Sequence, residues 1–360
     1  MSKRQNLECF FFEKERGMVK CKMLKFIWFI SLVICLVLPA GQAASLELKI
    51  ATLSPDGSPW MLKMREGARE IARKTDNRVR FKFYPGGVMG NDKAVMRKIR
   101  AGQLHGGALT GGSLHKVFSD AQVYSLPLKF RSLQEIDYVR ERMDPLLMAG
   151  FKKGGFVTFG LAEGGFAYVM SNAPIRSIEG LRNQKVWVPD HDATISEVMH
   201  AFGIRPIPLS IADVRAGLQT GLIDTVTISP IGAIVLQWHT QVKYLTELPM
   251  AYVYGLLAVD RQVFSKMSPE DQKIVHEAMG RVFQEIDSQN RTDNIEALSV
   301  LRNLGIQFVK PAPGAEEGWF AVAARVTQQL VDSGVVSKTM VSVLDGHLEA
   351  YRSQRSEKNE

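Results

Sequence analysis

The sequence predicts an α/β protein built of two lobes. Strand, helix and strand patterns alternate from Leu46 onward, the order of a layered α/β fold. About 316 of the 360 residues follow an N-terminal leader, a length that suits two lobes of ordinary domain size. A long helix opening at Ser268-Pro269-Glu270-Asp271 has the apolar spacing to pack along the body of the protein.

The leader comes first. Lys20, Lys22 and Lys25 precede Phe26–Leu38, an apolar run of about 13 residues broken by Ser31 and followed by Pro39 and small residues. That is the order of a secretory signal peptide, expected to be cleaved after Ala43 or Ala44. The run is short of the roughly 20 residues needed to span a hydrocarbon core, and an uncleaved anchor is the alternative. Residues 1–17 are unusual ahead of such a segment, so Met18 and Met23 stand beside Met1 as candidate starts. Cys9, Cys21 and Cys35 all fall in the leader, which leaves the rest of the chain without a disulfide or a thiol nucleophile. Ile34 precedes Cys35 where lipidation requires a small residue, which argues against a lipid anchor. Removing the leader lowers the formal charge from +8 to +4. The remaining surplus is spread along the chain and gives no nucleic-acid footprint.

Leu46–Leu53 alternates as a strand and ends in the turn cluster Ser54-Pro55-Asp56-Gly57-Ser58-Pro59. Trp60, Met64, Ala68 and Ile71 then repeat at helical spacing until Thr75-Asp76-Asn77 stops the helix. Val79–Tyr84 reads as the next strand and breaks at Pro85-Gly86-Gly87. Asp92–Ala101 reads as a helix, Gly106–Thr110 as a short strand, and Gly111-Gly112-Ser113 as the loop beyond it, where ligands of such sheets bind. Phe156–Leu161, Ala167–Ser171 and Lys185–Val188 are further strands, followed by helices over Ala193–Phe202 and Ile211–Thr220 and a strand over Ile223–Ile228. Ser268 caps the long helix with Pro269 at its first position. Ile274, Val275, Ala278, Met279, Val282, Phe283 and Ile286 form its apolar face. Ser353–Glu360 reads as a frayed polar tail.

Reactive constellations are missing. The histidines at 105, 115, 191, 200, 239, 276 and 347 show no metal-ligand spacing, so neither a metal nor another cofactor is indicated. Gly86–Lys93 lacks the Gly-Lys-Ser/Thr ending of a phosphate loop, and no Gly-x-Ser-x-Gly elbow is present. Asp190 and Asp224 are lone acids, more often caps or solvated side chains than catalytic groups. The sequence therefore offers no constellation on which to base an enzyme.

Several segments together resemble the receptor subunit of tripartite ATP-independent periplasmic (TRAP) transporters, the dicarboxylate-receptor (DctP) family. They are Phe83-Tyr84-Pro85 with Met89-Gly90-Asn91-Asp92, then Leu126-Pro127-Leu128-Lys129-Phe130-Arg131, then Ile178–Leu181 through Lys185-Val186-Trp187-Val188-Pro189. The most specific runs from Gly203-Ile204-Arg205-Pro206-Ile207-Pro208-Leu209 through Asp213-Val214 to Leu218–Asp224. The resemblance implies the two-lobed periplasmic binding protein fold, with a ligand cleft between lobes that closes on a hinge and a long helix spanning both. It divides the chain into a leader (1–44), lobe I (45–164 plus 250–290), lobe II (165–249 plus 291–345) and a polar tail (346–360). It implies a periplasmic receptor that delivers a small-molecule solute to a membrane permease driven by an ion gradient.

One departure governs the expected site. Most members of the family clamp the substrate carboxylate with an arginine whose planar fork matches it; here that position is Trp187. A second basic position falls at Ala167, and a polar cleft position at Thr227, with Ile228 and Ser229 beside it. A carboxylate facing that wall would be unpaired at a cost of several kcal/mol, so a neutral or apolar solute stacked on Trp187 is expected. Thr52, Asn91, Thr110, Gly112, Asp190 and Ser210 sit where the family places cleft loops, and Asp190 is able to meet a ligand amine. Trp60, Tyr168, Tyr252 and Tyr254 are aromatic candidates for either cleft or core. The alternative reading of Trp187 is that it fills a collapsed interface. The chain would then be an interaction module, by analogy with a TRAP branch that pairs an arginine-lacking receptor with a helical-repeat periplasmic partner. A periplasmic enzyme ranks last.

Overall fold

The computed structural model describes residues 45–190 and 193–356. The expected signal peptide, its three cysteines and His191 lie outside the described residues.

β1 (Leu46–Thr52) buries Leu48 and Ile50 on one face. Ser58 caps α1 (Pro59–Lys74) at the N–H of Met61, with Pro59 at the first helical position. The helix ends at Thr75, after which Asp76 and Asn77 take left-handed backbone conformations (φ 47° and 61°) that turn the chain back. β2 (Val79–Tyr84) and β3 (Gly106–Thr110) pair in parallel on either side of β1, joined through α2 (Asp92–Arg100). Two 3₁₀ turns, Gly111–Leu114 and Ser119–Ser125, lead to α3 (Leu133–Lys153).

β4 (Phe156–Val157) is followed by β5 (Leu161–Ser171), so the break between these two strands lies at 158–160 and not at 162–166 as the sequence pattern suggests. Then come α4 (Ile178–Arg182), β6 (Trp187–Pro189), α5 (Ala193–Ala201), β7 (Ile207–Leu209), α6 (Ile211–Thr220), β8 (Thr225–Ile228) and α7 (Pro230–Val235). β9 (Tyr244–Asp260), α8 (Arg261–Phe264), α9 (Pro269–Asn303), β10 (Gln307–Val309), α10 (Ala315–Asp332) and α11 (Lys338–Ser356) complete the chain. Residues 346–356, expected as a polar tail, continue α11, because Leu344 and Leu348 are buried one turn apart on its inner face.

The main sheet runs β2-β1-β3-β9-β5-β8, with β4 and β10 also on β9. β6 and β7 form a parallel pair beside it, touching β8 through the single bridge Val186–Thr225. Two long antiparallel strands join the halves of this sheet. Residues 255–260 of β9 pair with β3 and β4, and residues 244–246 pair with β10. β5 follows β9 from Leu161–Leu256 to Ser171–Tyr244 and carries β8 on its far half. At about 3.3 Å per residue, the 17 residues of β9 span roughly 55 Å. The 35 residues of α9 cover a similar length at about 1.5 Å each. The first half of α9 packs on the cluster of β1 and α1, through Val275, Met279 and Phe283. Leu301, near its other end, belongs to a second cluster with Val226, Trp187 and Trp238.

The pairing of β5 with β9 slips between Glu163 and Gly165, and again on both sides of Tyr168. Gly165 has φ 90°, and a Cβ there would lie 2.6 Å from the Asn294 amide on α9. Glycine is required at this crossing for both reasons.

Candidate functional site

Helix α2 places the first lip of the site. Asn91 caps it, the side-chain Oδ1 accepting the N–H of Ala94 at 3.0 Å. Because the oxygen is committed to the cap, the amide nitrogen must point the other way. It donates to the carboxylate of Asp190, 3.4 and 3.3 Å from the two oxygens. Asp190 is the residue after β6, and its backbone N–H is held by Leu209 O at 3.0 Å. These two residues lie 99 positions apart and join the lip of β1–β3 to the lip of β6–β7.

Next to Asn91, Asp92 gathers the β3 end. Its Oδ2 accepts the N–H of Thr110 at 3.2 Å and the hydroxyl of Ser113 at 2.5 Å. The Thr110 hydroxyl lies 3.1 Å from the same oxygen. Thr52 is one register step away, opposite Ala108, and its hydroxyl accepts the N–H of Ser54. Gly112 follows in the 3₁₀ turn with open space where a Cβ would stand. Thr52, Asn91, Thr110 and Gly112 are thus brought together at the carboxyl ends of β1 and β3.

On the opposite lip Leu209 O accepts from both Asp190 N–H and Trp187 Nε1, the latter at 3.0 Å. Ser210 follows and donates its hydroxyl to Asp213 at 2.6 Å. Trp187 is 7% exposed and meets Trp238 edge-to-face with ring centroids 5.0 Å apart. Its one donor is used and its ring lies in the core. The expected stacking platform is a packing residue in this conformation, since an indole with its N–H satisfied gains most by burial.

The other candidates are dispersed. Thr227 stands opposite Val169, and Ser229 caps α7 at the N–H of Gly232. Ala167 is buried opposite Ala251. Tyr168 lines a small cavity under α9 with Glu163, Phe166, Arg291 and Asn294. Trp60 packs edge-to-face on Phe283 of α9. Tyr252 and Tyr254 are fully buried in an aromatic cluster with Tyr124 and are core, not cleft. Asp224 is the structural acid its isolation suggests, accepting the N–H of Lys185 at 2.8 Å and the hydroxyl of Thr225 at 2.9 Å.

No local sequence pattern foretells the ionic network beneath the crossing strands. Arg140 of α3 binds Asp144, Asp287 of α9, the Tyr252 hydroxyl and Leu161 O. Arg291 grips buried Glu163 at 2.5 Å and reaches Asp137 at 2.6 Å. Burial raises the Asp144 carboxyl above its usual range, opposed by the charge of Arg140. Burial likewise raises the Tyr252 hydroxyl. Buried Arg140 and the partly exposed Arg291 are both committed to protein carboxylates, so neither offers a free fork. Among the described residues no group of three or more His, Cys, Asp or Glu side chains is placed to hold a metal ion.

The family model for bacterial extracellular solute-binding proteins, family 7 (DctP), matches residues 50–333. The chain belongs to this family. Family 7 proteins are TRAP solute receptors that bind and do not catalyse. A solved TRAP periplasmic solute-binding protein from Roseobacter denitrificans, with bound β-D-glucuronate, superposes with a TM-score of 0.76 at 18% identity, covering 83% of this chain and 98% of that one. The family 7 fold is thereby two-lobed. Solute-binding protein RD1_1052 of Roseobacter denitrificans is 24% identical over 84% of this chain and 93% of its own length. Uncharacterized protein YiiZ of Salmonella typhimurium is 24% identical over 59% of this chain, which spans 65% of that protein.

Proposed function

We propose that this family 7 protein is a periplasmic receptor that closes its lobes on a neutral or largely apolar solute and delivers it to an ion-gradient-driven TRAP permease. The observation that carries this is the lack of charge at three positions: Trp187, Ala167 and Thr227, which the family resemblance assigns to the wall that anchors the substrate, carry no cation, and Trp187 and Ala167 are themselves packed away. Trp187 has one N–H, and Leu209 O holds it. The arginines at the crossing, buried Arg140 and partly exposed Arg291, are neutralised by Asp144, Asp287, Glu163 and Asp137. A carboxylate entering such a wall loses its hydration without gaining a partner. The Roseobacter neighbour holds an acidic sugar, and the present chain departs from it in solute class.

A second reading is favoured by the same burial. With Trp187 packed and the lips joined at Asn91 and Asp190, the site also suits a cleft retired from solute capture, in a protein that works through a helical-repeat periplasmic partner.

Native mass spectrometry of the protein purified from periplasm separates the two. Retention of one uncharged small molecule supports the receptor reading, and an empty protein in a stable protein complex supports the second. Thermal stabilisation by glucuronate or a C4-dicarboxylate, with no response to neutral compounds, overturns the proposed solute class.

A further inference from the structure

We infer that Asn91 and Asp190 form a latch that holds the lobes closed with protein groups alone, in place of the closing contact a solute carboxylate would supply. The inference deepens the receptor reading and rests on its two-lobed architecture, but its test needs no solute.

The argument begins with the orientation of one amide. Asn91 Oδ1 is fixed as the cap of α2 by the 3.0 Å bond from Ala94 N–H, so Nδ2 is aimed away from the helix by covalent geometry. It sits between the two oxygens of Asp190, 3.4 and 3.3 Å from them. Asp190 is held in turn from behind, by its own N–H on Leu209 O at 3.0 Å. Both partners are therefore pre-positioned by local structure on their own lip, and little side-chain freedom is lost when they meet. Each is half-buried, so the bond to an ionised carboxylate is worth more than an exposed pair.

The consequence for solute capture is specific. In a receptor whose ligand is clamped through its carboxylate, closure draws its energy from the ligand. Here Trp187 and Ala167 are buried and offer a solute no cation or free donor, and a solute with few polar groups contributes little directional attraction. A protein-to-protein latch makes the closed state accessible whatever the solute offers, and it slows release once the solute is inside.

Small-angle X-ray scattering of the solute-free protein, read together with the melting temperature, tests the latch. Asn91→Asp keeps the cap, since Asn and Asp cap helices equally well, but sets two carboxylates face to face. The closed-to-open ratio is expected to fall severalfold, through loss of a long 3.3–3.4 Å contact and repulsion of the two carboxylates, with a wider pair-distance distribution and an unchanged melting temperature. Asp190→Ala, which leaves the cap untouched, is expected to open the protein likewise. The double variant N91D/D190N exchanges donor and acceptor and is expected to close again. Wild-type scattering from both single variants overturns the latch, and so does a double variant as open as N91D. Neither result touches the receptor reading, which stands or falls on solute retention.

Discussion

At the scale of single residues, Trp187 separates packing from recognition. Its ring is edge-to-face with Trp238 and its N–H is on Leu209 O, so truncation leaves a cavity in the cluster that also holds Val226 and Leu301. Trp187→Ala is expected to cost about 3–5 kcal/mol of stability, measured by chemical denaturation. Trp187→Phe keeps most of the apolar burial and loses the hydrogen bond, with an expected cost nearer 1–2 kcal/mol. A stability unchanged in Trp187→Ala, with solute affinity lost, would restore the ring as a platform. The tryptophan was legible in the sequence and its burial was not. A tryptophan at a strand end has one signature for both roles, and only the partner 51 positions away, Trp238, decides between them. Tyr252 misled for the same reason: Arg140, which occupies its hydroxyl, is 112 positions distant.

At the scale of elements, the long helix was legible because its start is local chemistry. Ser268 caps Asp271 N–H at 3.1 Å, and Arg78, the residue before β2, adds a paired bond to the Asp271 carboxylate at 3.2 and 2.9 Å. That hydrogen bonding from Arg78 holds the Asp271 carboxyl below its usual value despite burial. A depressed folded-state value gives stability above the unfolded value that is lost as pH falls through the folded one. Asp271→Asn is expected to cost about 1–3 kcal/mol at pH 7, and the gap to wild type should narrow in strong acid, once the Asp271 carboxyl of the wild type is protonated in both the folded and the unfolded state. A gap independent of pH in denaturant titrations would mean that the ion pair contributes nothing. Other elements were hidden by proline. Ile136, Val139, Met143, Leu147 and Phe151 give α3 a regular buried stripe, yet Pro145 interrupts the pattern. β9 contains Pro249, which argues against a strand interior. The structure tolerates it because it faces Tyr168 where the pairing slips.

At the scale of the whole molecule, strand and helix order was readable from period and turn chemistry, whereas the sheet order was not. The neighbours β3 and β9, or β5 and β9, are set by pairings far apart in sequence, and no local signal encodes them. The crossing at Gly164-Gly165 is the exception, since two adjacent glycines mark a backbone under unusual demands. Gly165→Ala places a methyl against the Asn294 amide at positive φ. A loss of about 1–3 kcal/mol is expected, with faster amide hydrogen exchange in residues 161–171. Exchange unchanged there, despite lower stability, would place the weak point elsewhere.

The interleaving of β5, β9 and α9 also governs how the protein can be taken apart. Each half of the sheet is assembled from segments on both sides of these three links. No single cut of the sequence therefore yields two self-sufficient fragments. A protease that nicks one link leaves the halves still tethered by the other two, and a gene divided at any one point encodes two pieces that must recombine before either has its full complement of strands.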